Sequence, residues 1–145
     1  MASRRRPQRV YYLESSALLA ALLEGDVPAR ALLATRARLV TSELTFAECA
    51  RGLVRARVGG RLSEDDEQAA RGALSKLQRR CASIPVSATV LERAGLPFPA
   101  EPVRSLDAIH LASLETMTSI REAVTMITRD SRVRENAVHL GFAVA

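Results

Sequence analysis

The fold is decided by residues 9–17, which read RVYYLESSA. Val10–Leu13 are β-branched, aromatic and aliphatic, and this run is long enough for a strand but too short for a helix. Glu14 follows, and the hydroxyl of Ser15 or Ser16 can then cap an apolar helical run. The stretch predicts a strand, an acid and a helix in that order. In a parallel sheet, Glu14 would lie at the carboxyl end of its strand, where open α/β sheets bind their ligands.

Length and composition indicate a globular domain with a basic charge balance. A chain of 145 residues is typical of one domain and buries roughly 68–70% of its unfolded surface. Hydrophobic residues make up 48% and charged residues 26%, as in ordinary soluble proteins. The formal charge of +5 fits a polyanionic partner such as nucleic acid, although a genome-wide arginine bias explains the same count.

Cysteine usage and hydropathy predict a cytoplasmic protein. Cys49 and Cys81 form no metal motif and are too few for a disulfide framework, which favours a reduced, cytoplasmic setting. No apolar run approaches the ~20 residues that a membrane-spanning helix needs. Residues 1–9 are polar and basic and are predicted to form a flexible arm, while residues 10–145 are predicted to form a single domain.

Strand and helix patterns alternate along the chain. This alternation predicts an α/β fold, in which helices flank both faces of a parallel sheet. The strand at 82–86 is expected at an edge, because Pro85 would remove a hydrogen bond from a central strand. The predicted strands are 10–13, 38–41, 82–86, 123–128 and 142–145, and the predicted helices are 17–23, 29–38, 42–53, 63–80, 88–95, 104–114 and 131–140.

Four acids are predicted to gather at one edge of this sheet. Glu14 and Asp130 each follow a strand and precede a helix. Asp107 falls in the first turn of a helix, and Glu48 lies one turn inside another. Taken singly, Asp107 would complement a helix dipole, and Glu48 would pair with Arg51 on the helix surface. Taken together, they share an edge, because strand ends and the following helix starts face the same way.

Other polar residues have simpler interpretations. The acids at 64–67 fall in the first turn of a helix, where they stabilise the positive end of its dipole, and we assign them to the solvated face. Ser105 is expected to cap the helix that carries Asp107. His110 lies three residues after Asp107 and is interpreted as a helix histidine on a partly buried face, not as a metal ligand.

The predicted acidic cluster requires a cation. Four carboxylates ionised together repel each other and cost stability unless a positive charge neutralises them. Ligands that are all oxygen, without thiolates or paired histidines, select hard cations such as Mg²⁺ or Mn²⁺. Such an ion lowers the pKa of bound water and stabilises charge on a scissile phosphate. In a basic protein, this site indicates a phosphodiesterase that acts on nucleic acid.

The four acids lie in the segments 12–18 (YLESSAL), 44–48 (LTFAE), 105–112 (SLDAIHLA) and 127–130 (ITRD). Together these segments resemble the motifs of PIN-domain proteins, and most closely those of the VapC-type toxins of bacterial toxin–antitoxin pairs. The resemblance covers residues 10–144. The third segment, with the fourth at its usual distance, is the most specific part of it.

The resemblance implies an endoribonuclease that uses Mg²⁺ or Mn²⁺, often on transfer or ribosomal RNA. It also implies a PIN-like fold with a parallel, roughly five-stranded sheet, a homodimer, and a small VapB-like antitoxin that occupies a groove and reaches the active site. Ser16 and Thr128 match positions that support the first and last acids by hydrogen bonding or through water. The implied catalytic and metal-binding acids are Glu14, Glu48, Asp107 and Asp130.

One residue departs from the family pattern, which has Asp where this chain has Glu14. Glutamate is longer by one methylene, whereas Mg²⁺ demands near-octahedral geometry at about 2.0–2.1 Å. The site either adapts, prefers Mn²⁺, or binds metal too poorly to cut. The alternative function is therefore a catalytically impaired PIN-like domain that binds RNA or an antitoxin without cutting.

Two other classes of protein fit the sequence less well. A nucleotide-binding or phospho-acceptor α/β domain is disfavoured, because no GxGxxG or GxxxxGK[ST] phosphate loop occurs in the chain. A DNA-binding regulator is weaker still, because no helix-turn-helix module stands out from the α/β alternation. The net positive charge by itself is compatible with a DNA target as well as with an RNA target.

Overall fold

The computed structural model describes residues 8–27, 30–31 and 34–145. Five strands form one parallel sheet in the order β3-β2-β1-β4-β5. This sheet confirms the predicted α/β fold, and β3 lies at an edge, as Pro85 predicted. The strands are β1 (Val10–Leu13), β2 (Arg38–Ser42), β3 (Ala82–Ile84), β4 (Val124–Ile127) and β5 (Ala143–Val144).

Helices pack on both faces of the sheet, and a short 3₁₀ helix, Thr118–Ala123, leads into β4. Gly141, with φ of 86°, follows the last helix and ends it as predicted. The helices are α1 (Ser15–Leu23), α2 (Leu44–Val58), α3 (Glu64–Arg80), α4 (Ala88–Ala94), α5 (Ser105–Glu115) and α6 (Ser131–His139). In the described part of the chain, no helix has the length and apolar character needed to cross a membrane.

Two predicted segments fall partly outside the described residues. The arm at 1–9 is described only at residues 8 and 9, and the helix at 29–38 only in part. Where it is described, residues 34–37 form a turn and bends, so the prediction that this helix reaches Arg38 is wrong. Arg38 instead begins β2, because its backbone pairs with Val10 in the parallel ladder.

Two helix caps differ from the prediction. α1 begins at Ser15, and its cap is Glu14, whose Oε1 accepts the backbone N–H of Ser16 at 3.0 Å. α5 begins at Ser105, so this serine is inside the helix and does not cap it. Arg104 occupies the cap position without a capping hydrogen bond from its side chain. In each case, a charged side chain at the strand or loop end takes the place expected for a serine.

The core is divided into two layers by the sheet. Adjacent side chains of β1, Tyr12 and Leu13, are both fully buried because they point to opposite faces of the strand. Tyr12 packs in the layer that α5 and α6 complete, and Leu13 packs in the layer formed with α1, α2 and α3. Since both faces are covered, the carboxyl edge of the sheet is left for a ligand site.

One acid of the 64–67 group is not solvated, and its assignment to the solvated face is wrong. Glu67 is 8% exposed and forms ion pairs with Arg57 of α2 and with Arg71, one turn further along α3. The Nε of Arg71 donates to Glu67 Oε1 at 2.9 Å. This hydrogen bond and the charge of Arg57 hold the pKa of the Glu67 carboxyl below its ordinary value. The helical period places Glu67 one turn inside α3, on the side that faces α2.

We expect Glu67→Gln to reduce stability at neutral pH and to lose this effect in acid. The pKa of Glu67 is lowered on folding, so the ionised form stabilises the fold above the unfolded pKa of about 4.3. That contribution disappears as pH falls through the folded pKa. Thermal unfolding of both proteins between pH 7 and about pH 3 measures it. Asp65→Asn, in the same helical turn, is the control; an equal loss at every pH would contradict the ion-pair explanation.

Candidate active site

A cavity of about 690 Å³ opens at the carboxyl edge of the sheet, and all four predicted acids line it. β1 and β4 end beside it, and α2 and α5 present their first turns to it. The structure thus brings together the residues that the sequence placed at one edge. The charged lining consists of the acids Glu14, Glu48, Asp107 and Asp130 and the arginines Arg51, Arg55 and Arg104.

Glu14 is buried, and its carboxylate is surrounded by donors. Oε1 accepts from the hydroxyl of Ser15 at 2.7 Å and from the backbone N–H of Ser16 at 3.0 Å. Oε2 accepts from the hydroxyl of Thr128 at 2.8 Å and from that of Ser16. The four donors satisfy both oxygens and hold the side chain against the start of α1.

Ser16 and Thr128 connect the ends of β1 and β4. The Oγ of Ser16 also accepts the backbone N–H of Arg129 at 2.8 Å, and Thr128 Oγ1 accepts that of Asp130 at 3.1 Å. Each hydroxyl donates to Glu14 while it accepts from the segment that follows β4. The two residues therefore connect Glu14 to the segment that carries Asp130.

Glu48 contacts a buried histidine and not Arg51. Its Oε1 lies 2.6 Å from Nε2 of His110, which is fully buried on α5. The Nδ1 of His110 lies 3.2 Å from the hydroxyl of Tyr12. Burial raises the pKa of Tyr12, so its hydroxyl keeps its proton. Because a carboxylate oxygen only accepts, Nε2 donates the proton in the contact with Glu48.

This contact corrects two interpretations of the sequence. The surface ion pair expected between Glu48 and Arg51 does not form, because Glu48 faces α5 across the cavity wall. His110 is fully buried, not partly buried, and its Nε2 also lies 4.0 Å from Oε1 of Glu14. His110 thus stands between two of the four acids.

Arg104 joins the other two acids. Its Nε donates to Oδ2 of Asp107 at 2.8 Å, and its Nη2 donates to Oδ2 of Asp130 at 3.2 Å. The Arg104 side chain is 79% exposed. Burial raises the pKa of the Asp107 carboxyl, and the hydrogen bond from Arg104 only partly offsets this effect. The guanidinium therefore supplies a positive charge between two carboxylates.

Asp130 has a second structural role at the start of α6. Its Oδ1 accepts the backbone N–H groups of Arg132 and Val133, both at 2.9 Å, and so caps the helix. The cap fixes the orientation of the carboxylate and leaves Oδ2 directed at Arg104. A residue predicted from the sequence as a strand-end acid is thus held rigidly by the helix that follows it.

Comparison with known proteins identifies the family. A family model described as the PIN domain matches residues 11–138. This chain belongs to the PIN-domain family. The chain is similar to Ribonuclease VapC35 of Mycobacterium tuberculosis, in strains CDC 1551 / Oshkosh and ATCC 25618 / H37Rv. The two sequences are 36% identical over 138 residues, which cover 92% of this chain and 93% of that protein. The predicted resemblance to VapC-type PIN-domain proteins is confirmed.

A solved structure shows the same fold. The crystal structure of PAE2754 from Pyrobaculum aerophilum matches this PIN domain with a TM-score of 0.53 at 20% sequence identity. The match covers 88% of this chain and 84% of that one. The fold is therefore shared with a protein of low sequence identity.

The side chains of this PIN domain suit a hard divalent cation in their chemistry. All four acids offer oxygen, and no thiolate lines the cavity among the described residues. As placed, however, no three His, Cys, Asp or Glu side chains within 8–27, 30–31 and 34–145 could hold one ion together. The reason is visible in the contacts: Arg104 occupies Asp107 and Asp130, and Glu14 is turned towards hydroxyls.

Three residues of the site were missed or undervalued in the sequence. Arg104 precedes Asp107 by three positions, a spacing that brings both side chains to the same side of a helix start. Tyr12 is one of two tyrosines in β1 and is fully buried, and a buried hydroxyl needs a partner. His110 lies on the same helix as Asp107, and only the packing of α5 against the sheet reveals its burial.

Proposed function

We propose that this PIN domain is a metal-dependent endoribonuclease, the toxin of a VapBC-type toxin–antitoxin pair. The proposed reaction is hydrolysis of RNA phosphodiester bonds. The observation that carries the proposal is the convergence of four carboxylates on one cavity in a chain of net charge +5. Similarity to a protein named as a ribonuclease over 92% of the chain supports the substrate class.

The metal would be held by Asp107 and Asp130, with Glu14 and Glu48 completing the acidic set. A bound Mg²⁺ or Mn²⁺ would lower the pKa of a water and stabilise charge on the scissile phosphate. Arg104 donates hydrogen bonds to the Oδ2 atoms of both aspartates, so these bonds must break before an ion can bind there. Once released, its exposed guanidinium is available to a phosphate oxygen, for which its planar donors are suited.

The chain's own residues prepare the site for that reaction. The hydroxyls of Ser16 and Thr128 hold Glu14 beside the end of β4, and His110 holds Glu48. Asp130 is oriented by the helix start that it caps. These contacts reduce the number of arrangements available to the carboxylates, and positioning of this kind is a major part of enzymatic rate enhancement.

The proposal includes partners and location. By similarity to the VapC relative, we propose an RNA substrate of the transfer or ribosomal class and a cognate VapB-like antitoxin. A homodimer and a cytoplasmic location complete the proposal; the two cysteines, both free thiols, are compatible with a reduced compartment.

A second candidate function is favoured by one observation. Both oxygens of Glu14 accept hydrogen bonds from protein donors. This carboxylate is therefore less available as a metal ligand than a shorter Asp would be. The corresponding candidate is a PIN domain that binds RNA or an antitoxin without cutting. The two candidates differ in what Glu14→Asp does.

We expect wild-type protein to bind Mn²⁺ or Mg²⁺ in calorimetry and to cut structured RNA in a reaction that EDTA stops. Glu14→Asp should then change cleavage by less than about tenfold, because Glu48, Asp107 and Asp130 still line the cavity. Thr41→Ser, a conservative change of a buried hydroxyl outside the cavity lining, is the matched control. If only Glu14→Asp binds metal and cuts, the impaired domain is the correct assignment. Failure of both proteins to bind either ion would contradict a metal-dependent nuclease.

A further inference from the structure

One face of α2 lines the cavity over more than two helical turns. Spacings of three and four residues place its members on the same side of the helix. From the helical rise, Arg51 and Arg55 lie about 4.5 Å and 10.5 Å beyond Glu48 along the axis. We refer to Arg51 and Arg55 as the arginine face. The residues of α2 that line the cavity are Leu44, Ala47, Glu48, Arg51 and Arg55.

Both members of the arginine face are exposed, and neither has a partner among the described residues. Neither Arg51 nor Arg55 makes an ion pair or a side-chain hydrogen bond with any part of the chain that the structure describes. By contrast, Arg57 on the same helix does not line the cavity and is paired with Glu67. Arg104, the third arginine of the cavity, is paired with Asp107. The arginine face therefore keeps all its donors available for a ligand.

The arrangement is unfavourable for the fold alone. Like charges four residues apart on a helix repel each other, and no described acid forms an ion pair with either arginine. The four nearest acids of the cavity are engaged with His110, Arg104 and hydroxyl groups. Two adjacent guanidinium groups that the fold does not use are typical of a site for an external anion.

We infer that the arginine face binds the phosphates of an RNA strand next to the scissile position. This inference rests on the proposed function. A strand with one phosphate at the acidic cluster carries further phosphates on either side, and α2 leads away from Glu48 with two guanidinium groups in succession. Each planar guanidinium offers paired donors to phosphate oxygens, so the contacts hold the backbone and read no base.

The inference is tested by the salt dependence of RNA binding. The probe is a short fluorescein-labelled single-stranded RNA, and its affinity is measured by anisotropy in EDTA between about 50 and 200 mM salt. The proteins are wild type, Arg51→Gln, Arg55→Gln, the double variant, and Arg79→Gln. Arg79 is a matched control because it is exposed, has no partner among the described residues, and lies in the last turn of α3, near the opposite edge of the sheet.

Log affinity decreases with log salt, and we expect this dependence to become weaker when an arginine is removed. The magnitude of the slope should decrease by about 0.7 in each single variant and by about twice that in the double variant. Arg79→Gln should keep the wild-type slope, and melting temperatures should not fall in the cavity variants. An unchanged slope in the double variant, or an equal drop in Arg79→Gln, would overturn the inference. The inference would also be overturned if the double variant kept its RNA affinity but no longer bound a VapB-like protein, because the arginine face would then bind a protein partner.

Binding in EDTA separates this inference from the proposed activity. Wild-type protein that binds RNA through the arginine face but cuts nothing would support the inference and remove the nuclease assignment. Metal-dependent cutting by wild type, with an unchanged salt slope in the double variant, would support the nuclease assignment and overturn the inference about the arginine face.

Discussion

Replacing Asp107 by Asn is expected to reduce metal-dependent RNA cleavage by about 10³-fold or more while the protein stays folded. The amide keeps the shape of the carboxyl but removes the charge that would hold a divalent ion. Metal ions contribute several kcal/mol of transition-state stabilisation, and each ~1.4 kcal/mol corresponds to a tenfold change in rate. The measurement is cleavage of structured RNA with Mn²⁺ and with Mg²⁺, using Asp65→Asn as an exposed-acid control.

The same variant should not lose stability. Burial raises the pKa of Asp107, so the charged form is disfavoured in the folded protein despite Arg104. A carboxyl with a raised folded pKa opposes folding above that pKa, and the neutral Asn removes this cost. The ion pair that is lost involves a side chain 79% exposed, and such pairs contribute about 0–1 kcal/mol. We therefore expect a melting temperature at pH 7 equal to or above that of wild type. Cleavage at the wild-type rate would rule out Asp107 as part of the site.

The acids could be predicted from the sequence because their positions follow from local patterns. Glu14 and Asp130 each end an apolar strand and precede a helix, and parallel sheets bring such positions to one edge. Their convergence needed only the alternation of elements and no knowledge of side-chain contacts. The same logic placed Asp107 and Glu48 at helix starts facing that edge.

The contacts of the acids could not be predicted, because they depend on how elements pack. Glu48 pairs with His110 because α2 and α5, which pack in different core layers, both reach the cavity at the carboxyl edge of the sheet, and no spacing within either helix contains that information. Arg104 reaches Asp130 across 26 positions of sequence, and so depends on where α6 begins. The burial of Glu67 also depends on packing between elements, because the first turn of α3 lies partly against α2.

Glu14 shows how a local rule can give the right element and the wrong cap. The serine-rich start of α1 predicted a hydroxyl cap, but Ser15 and Ser16 lie inside the first turn of the helix. The longer carboxylate of Glu14 reaches the N–H of Ser16 from one residue earlier, and the hydroxyls donate to it instead. An acid at a helix start also interacts favourably with the helix dipole, which adds to the preference.

His110→Asn is expected to lower the turnover number for RNA by about 10²-fold, and His110→Gln to restore most of it. A displacement of about 1 Å at a catalytic group can cost that factor, and His110 is the residue that holds Glu48. The amide of Asn lies near the position of Nδ1 and cannot reach Glu48. The amide of Gln is one carbon–carbon bond further from the backbone and can donate near the position of Nε2.

The pair of variants separates positioning from folding. Both remove a ring from a fully buried site where the Tyr12 hydroxyl also contacts His110, so both should lose stability, by about 1–3 kcal/mol for the unsatisfied polar groups. If His110 acts only through the fold, turnover should fall in step with stability in both variants. If it positions Glu48, turnover should follow the donor to Glu48 instead. Equal turnover in the two variants at equal melting temperatures would contradict the positioning role, because only one of them keeps an N–H within reach of that carboxylate.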